Sequence, residues 1–247
     1  MDFYFLGTGN AFGHGGRRRS HYYWEGSSSL MIDAGYDAMS GLRSIGKNIS
    51  DVNMIFISHL HPDHCLGLPQ FVLEDFYVLN KEEPIEVFGP KGLKNLVIDY
   101  IKRFYNPEVL SHMEKLYIFE EVGPDKIKKF EQGKLETFKA DHEGNARMQR
   151  ITLDDVKLGY TGDTGFIPNI FDEMLKADFT ITEASSGRNR IPHHTNVLDL
   201  LNHDIPKNKF VYLSHVGEST IEMRNEIIRP LILTEDGMKI NPKNQKL

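Results

Sequence analysis

Cysteine is nearly absent: Cys65 is the only one in 247 residues. No intramolecular disulfide can form and a thiolate-rich zinc site is excluded, so a reducing cytoplasmic setting is expected. Long apolar runs are also missing. None approaches the roughly 18 consecutive residues of a membrane span, and no membrane partner is expected. The opening "MDFYFLGTGN" has acidic Asp2 and no basic stretch ahead of a long apolar one, which does not read as a secretory signal. No internal repeat, low-complexity tract or Pro/Gly/Ser linker divides the chain, so residues 1–247 are expected to form a single domain. Nor does charge of one sign dominate. The formal charge of −6, from 29 basic and 35 acidic residues, is spread along the chain, which argues against a nonspecific nucleic-acid coat protein. One local basic patch, Arg17, Arg18 and Arg19, interrupts this balance.

What is present suffices for one large core, since 40% of the residues are hydrophobic. Strand-like runs recur at Phe3–Leu6, Ser28–Asp33, Met54–Ser58, Ile85–Gly89, Leu116–Val122 and Leu135–Ala140, then in "QRITL", "KLGYTGD", "DFTITEA" and "KFVYLSH". Helical periodicity falls at Leu68–Leu79, Gly92–Phe104, Asn169–Lys176, Asn196–Asn202 and Ser219–Ile228. Strands outnumber helices and come in succession at the start. This favours two packed β-sheets with helices outside over a regular βαβ alternation.

The polar residues ending these strands carry the chemistry. "FISHLHPDHCLG", Phe56 to Gly67, places His59, His61, Asp63 and His64 just after a buried-strand run. Histidines two apart in extended chain point the same way, so His59 and His61 can share one ion. Adjacent Asp63 and His64 point elsewhere and would serve a second. Imidazole and carboxylate donors suit zinc, manganese or iron and leave room for water. The bland alternative is a helix start, with Asp63 capping and the histidines as ordinary polar groups. Downstream, His142, Asp163 and His215 each follow a strand. Singly they are weak signals, because an aspartate between glycines usually just makes a turn. Together with the first cluster they make seven ligands, enough for two metal centres.

In these motifs the chain resembles the metallo-β-lactamase-fold hydrolases. "FLGTGNAFG", "LMIDAG", "SHLHPDHCLG", "DH", "TGDT" and "SHVG" follow in that family's order over nearly the whole length. The resemblance implies an α+β four-layer αββα sandwich with a dinuclear site at one edge. It implies that His59, His61 and His142 hold one divalent ion, that Asp63, His64 and His215 hold another, and that Asp163 bridges them. Finer features resemble the ribonuclease Z and cyclic ribose phosphate phosphodiesterase branch: Gly89-Pro90-Lys91-Gly92, the pair Glu183–Ala184, and His194–Thr195. "GRRRSHYYWEG" is similar to the N-terminal loop of the bacterial phosphodiesterase of phosphonate breakdown, whose extra cysteine zinc ligands this chain lacks. Ribonuclease Z proteins that process tRNA carry a long gripping arm between the positions here numbered His142 and Asp163. Only 21 positions separate these two residues, room for a strand pair and no arm.

The activity this implies is hydrolysis of a small nucleotide or cyclic phosphodiester by a metal-bridging hydroxide. A ribonuclease Z-like tRNA 3′ endonuclease acting on RNA is the alternative. A lactonase, thioesterase or β-lactamase-like hydrolase stands behind both, and the non-enzyme rival is a metal-binding module that has lost catalysis. His194 is the candidate proton donor to the leaving oxygen; Asp63 is the other catalytic candidate besides serving as a ligand. The rival reading of "HHT" is a helix start capped by Thr195, and His193 reads as a bystander. Asp33, Asp141 and Glu183 are candidates to orient ligand imidazoles. Arg17–Arg19 could bind phosphate. Tyr22, Tyr23 and Trp24 could stack on a base or a partner, with core packing as their default. A homodimer is common among the relatives that the chain resembles.

Overall fold

The parallel strands of the fold all end on the side where the sequence places its polar motifs. The computed structural model describes Met1–Asn244, and positions 245–247 of the expected domain lie outside the described residues. Among the described residues the strands form two seven-stranded sheets. The first sheet joins β1 (Asp2–Gly7), β2 (His21–Glu25), β3 (Ser29–Ile32), β4 (Met54–Phe56), β5 (Ile85–Gly89) and β6 (Tyr117–Glu121) in chain order. The second joins β7 (Ile127–Phe130), β8 (Gly133–Lys139), β9 (Arg147–Leu153), β10 (Val156–Tyr160), β11 (Phe179–Glu183), β12 (Val211–Ser214) and β13 (Leu231–Leu233). A last strand, β14 (Lys239–Ile240), returns to pair with β1.

Each sheet is an antiparallel ribbon continued by parallel strands: β1 to β3 and then β3 to β6, β7 to β10 and then β10 to β13. Parallel pairs need crossovers, and helices supply them. In the first half these are α1 (Ala38–Ser44), α2 (Pro62–Cys65), α3 (Leu68–Glu74), α4 (Leu93–Phe104) and α5 (Pro107–Leu116). In the second half they are α6 (Pro168–Leu175), α7 (Val197–Leu201) and α8 (Glu218–Glu222).

Burial follows the two-residue period of a strand. On β2, Tyr22 and Trp24 face the other sheet, packing with Phe3, Phe5, Leu158, Phe179 and Tyr212. Tyr23 between them faces the helices, in the cluster of Leu42, Leu68, Phe71, Val97 and Met113. A third cluster, with Phe171, Leu175, Val197 and Leu213, covers the outside of the second sheet. The layers are therefore αββα, as expected.

Core packing, the default for Tyr22, Tyr23 and Trp24, holds, and several other local expectations change. "HYYWE" is a strand buried on both faces, so Tyr22, Tyr23 and Trp24 belong to the core and offer nothing to a base or a partner. Arg17, Arg18 and Arg19 are tied inward. Arg17 Nη1 donates to Thr8 Oγ1 and to the Thr234 carbonyl, each at 2.6 Å. Arg18 Nε donates to the Leu6 carbonyl at 2.6 Å, and Arg19 Nε donates to the Tyr36 hydroxyl at 2.7 Å while its guanidinium pairs with Asp37. They brace the N-terminal loop, which the patch reading missed. The helix expected over Ser219–Ile228 stops at Glu222 and continues as turns with Met223 N donating to the Thr220 carbonyl. The interval between His142 and Asp163 is filled by the hairpin β9–β10.

Candidate metal centre

Backbone geometry delivers the polar groups. Strands β3, β4, β10, β11 and β12 end beside one another: Asp33, His59, Asp163 and His215 lie in the loops after β3, β4, β10 and β12, and Glu183 is the last residue of β11. Ligand sites in sheets with parallel strands commonly lie at such carboxyl ends. The "HLHPDHCLG" loop is docked onto the end of β3: Ala34 N donates to the His64 carbonyl and Gly67 N to the Ala34 carbonyl, both at 2.7 Å. This needs glycine on both sides. A Cβ at Gly35 would lie 2.0 Å from the Asp63 carbonyl oxygen, and one at Gly67 would lie 2.3 Å from that of Gly35.

Three donor groupings result among the described residues; two of them share Asp163, and the third joins Glu183, His194 and His215. His59, His61, His142 and Asp163 have ligand-type atoms all within 4.8 Å of one another, and so do Asp63, His64, Asp163 and His215. Asp163 Oδ2 lies 3.8 Å from His59 Nε2, 3.9 Å from His142 Nε2 and 3.2 Å from His215 Nε2, while its Oδ1 lies 3.4 Å from His64 Nε2. His142 Nε2 and His61 Nδ1 approach to 3.0 Å. The sequence grouping of four local residues with three distant ones is thus brought together in space, with Asp163 between the two halves.

Hydrogen bonds aim the rings. His64 Nδ1 donates to Asp33 Oδ2 at 2.8 Å. His59 Nδ1 bonds Ser58 Oγ at 2.9 Å, and that hydroxyl donates to Asp33. His142 Nδ1 donates to the His193 carbonyl at 3.0 Å, and His215 Nδ1 bonds Ser185 Oγ at 2.9 Å. With Nδ1 occupied, each Nε2 turns to the centre. Asp33 also receives the Tyr160 hydroxyl at 2.5 Å, and this one carboxylate orients His64 of the second cluster directly and His59 of the first through Ser58. Asp141 touches no ligand imidazole. It accepts from His193 Nδ1 at 2.9 Å, so His193 is no bystander: its carbonyl orients His142 and its ring is held by Asp141.

The donor set fits divalent cations. His59 Nε2, His64 Nε2 and Asp163 Oδ1 are buried without a hydrogen-bond partner. Native structures rarely bury such atoms unsatisfied, and lone pairs converging from several rings are satisfied together by a cation. Without a cation the buried groups offset one another's charge. Burial disfavours the ionised Asp163 carboxylate, yet His215 and His64 hold it well below the usual range. Asp63 is lowered likewise, against burial, by His64 and His215. Burial pushes His59 well below its ordinary value, with His64 adding to the effect. His64 goes the other way, since Asp163, Asp63 and Asp33 outweigh its burial.

Beside the two clusters stands His194. Its Nδ1 donates to Glu183 Oε2 at 3.0 Å, and Ser185 Oγ bridges Glu183, His194 and His215. Burial lowers the imidazole pKa, but the Glu183 hydrogen bond and charge, with Asp163 and Asp63, overcome this and raise it to about 8. Thr195 does not cap α7; Asn196 does, accepting from Asp199 N. Thr195 instead donates to the Thr164 carbonyl. His61, Asp63, Asp163, Ser185, His194 and His215 line a cleft of about 170 Å³. Ser58, Ser185 and the His193 carbonyl were not anticipated. The only sequence signal for Ser58 was its place directly before His59.

Comparison with known proteins agrees with this architecture. A stretch of 108 residues is 38% identical to ribonuclease Z of Metallosphaera sedula, covering 42% of this chain and 36% of that enzyme. A 209-residue match to ribonuclease Z of Methanocaldococcus jannaschii is 27% identical and covers 76% of this chain and 64% of the relative. The chain thus spans less than two thirds of the length of these relatives. Among solved structures, the short form of human tRNase Z superposes with a TM-score of 0.77 at 22% identity, covering 98% of this chain and 99% of that one. A diphosphatase from the PhnP family gives 0.75 at 17% identity, covering 97% of each chain. The fold is the metallo-β-lactamase fold in its ribonuclease Z-like branch. A family model described as anti-Pycsar protein Apyc1 matches residues 1–232. No helix among the described residues is long and apolar enough to cross a membrane.

Proposed function

The chain belongs to the anti-Pycsar protein Apyc1 family, and from that premise we propose that it is a two-metal phosphodiesterase acting on a small nucleotide or cyclic phosphodiester. The observation that carries this reading is the cleft of about 170 Å³ in which donor atoms of both clusters meet His194. When bound, two divalent ions, zinc or manganese with iron as a third candidate, supply a hydrolytic nucleophile from water near neutral pH and offset charge growing on the phosphoryl oxygens. His59, His61 and His142 would hold one ion and Asp63, His64 and His215 the other, with Asp163 a member of both donor groups.

The remaining work falls to the protein's own groups. Glu183 fixes the His194 tautomer by accepting from Nδ1, which leaves Nε2 to carry a proton to the leaving oxygen. Burial disfavours the imidazolium, and the Glu183 hydrogen bond and charge offset this to favour a proton on the ring. Ser185 locks Glu183 and also braces His215, so donor and ligand sit in one hydrogen-bonded frame. Asp33 does the same for His64 and, through Ser58, for His59. Asp33→Asn is expected to weaken zinc binding roughly 10–100-fold, as read by titrating the metal-stripped protein against a competing chelator. An unchanged affinity would remove Asp33 from this role.

A ribonuclease Z-like activity on RNA is the second reading, favoured by the 38% identity to the M. sedula enzyme. The short β9–β10 hairpin weighs against it, because no arm rises there to hold a tRNA. Metal-reconstituted protein should cleave a model phosphodiester and leave a lactone and a β-lactam intact. Turnover of the lactone alone would overturn the phosphodiesterase reading.

A further inference from the structure

We propose that Phe12 is the stacking platform for the nucleobase of the substrate, an inference that rests on the phosphodiesterase reading of the same cleft. Phe12 is an aromatic side chain 78% exposed to solvent. It lines the cleft together with Asn10, Ala11 and Ile191 and with His61, Asp63, Asp163 and His194. Among the described residues, the ring recorded against it is that of His14, edge-on at 5.9 Å between centroids.

The ring is mounted on a fixed turn. Phe12 N donates to Asn10 Oδ1 at 3.1 Å, and Gly13 N donates to the Asn10 carbonyl at 3.0 Å. Gly13 takes φ 62°, a left-handed conformation that suits glycine. The Ala11 carbonyl accepts from Arg19 Nε at 3.2 Å and from the Tyr36 hydroxyl at 2.9 Å. Arg19 therefore acts on the cleft indirectly, by bracing the turn that carries Phe12. Because the turn is already ordered, a ligand meeting the ring loses little conformational entropy. Across the same cleft Ile191, 43% exposed, supplies a second apolar surface.

A phosphodiester seated at the donor clusters must project its organic part out of a small cleft, past these two side chains. Of the parts such a substrate can carry, a nucleobase has the flat π-face that an aromatic ring recognises. The aromatic run Tyr22–Trp24 cannot do this because it is buried.

The test compares the metal-reconstituted full chain with Phe12→Ala and Phe12→Tyr on adenosine 3′,5′-cyclic phosphate and on a base-free cyclic ribose phosphate. Phe12→Ala should raise KM for the nucleotide roughly tenfold with kcat unchanged, leave KM for the base-free compound where it was, and be rescued by Phe12→Tyr. An equal effect on both substrates, no effect on either, or a loss of self-association in sedimentation by Phe12→Ala would each overturn the proposal, the last by assigning the ring to a second copy of the chain. Hydrolysis of neither compound by the unaltered protein would defeat the phosphodiesterase reading itself. Cleavage with an unmoved KM would defeat only the stacking.

Discussion

Asp163→Ala is expected to lower turnover by about a thousandfold or more and to reduce the amount of metal bound per chain. The magnitude follows from the several kcal/mol that a correctly placed ion contributes to the transition state, at about 1.4 kcal/mol per tenfold. Asp163 belongs to both donor clusters. Its two oxygens lie between 3.2 and 3.9 Å from His59, His64, His142 and His215. Removing it leaves three donors on each side with nothing between them, and no neighbouring carboxylate reaches both. Metal content after dialysis and kcat on one phosphodiester check this, with circular dichroism to establish that the variant is folded. Activity that survives the change would refute the shared-ligand arrangement.

His194→Ala is expected to lower kcat by roughly 10²–10⁴-fold while bound metal stays the same. The pH profile separates proton donation from a merely structural part. A donor must be protonated, so turnover that depends on His194 is present below its pKa and lost as pH rises through it. Glu183, Asp163 and Asp63 raise that pKa to about 8 against the effect of burial. Bound dications repel the imidazolium and draw the alkaline limb below this value. The limb should vanish in His194→Ala and move to lower pH in Glu183→Gln, which keeps the side chain's shape and removes its charge. A variant with unaltered pH dependence would exclude His194 as the donor.

The parts of the site that were legible in the sequence are those set by local spacing. His59, His61, Asp63 and His64 lie within six positions, and strand geometry alone pairs the first two. Of the groups that aim them, Asp33 was a candidate by residue type alone, and Ser58, Ser185 and the His193 carbonyl were not anticipated. Asp33 reaches His64 across 31 positions, and the His193 carbonyl reaches His142 across 51. Such contacts arise only once the ends of β3, β4, β11 and β12 are side by side, and no periodicity encodes them. Asp141 illustrates the limit: adjacent to His142 in sequence, it turns away to His193.

The fold class was legible because apolar runs end in turn residues, but individual elements were lost where both faces are buried. Strand β2 lies between a helical layer and the other sheet, so "HYYWE" has no polar alternation to mark it as a strand. Helix α5 was missed although Asn106 caps it and Pro107 opens it, both ordinary helix-start signals. The basic run was misjudged for a different reason. A sequence exposes the charge of Arg17–Arg19 but not the carbonyls of Leu6, Ala11 and Thr234 that receive their protons.

The most direct test of the central claim is the ratio of kcat/KM for a 3′,5′-cyclic nucleotide to that for a precursor tRNA, measured with the same metal-reconstituted protein. A small cleft with no tRNA-gripping arm predicts efficient hydrolysis of the cyclic nucleotide and no cleavage of the tRNA. Efficient tRNA cleavage with the cyclic nucleotide left intact would contradict the account.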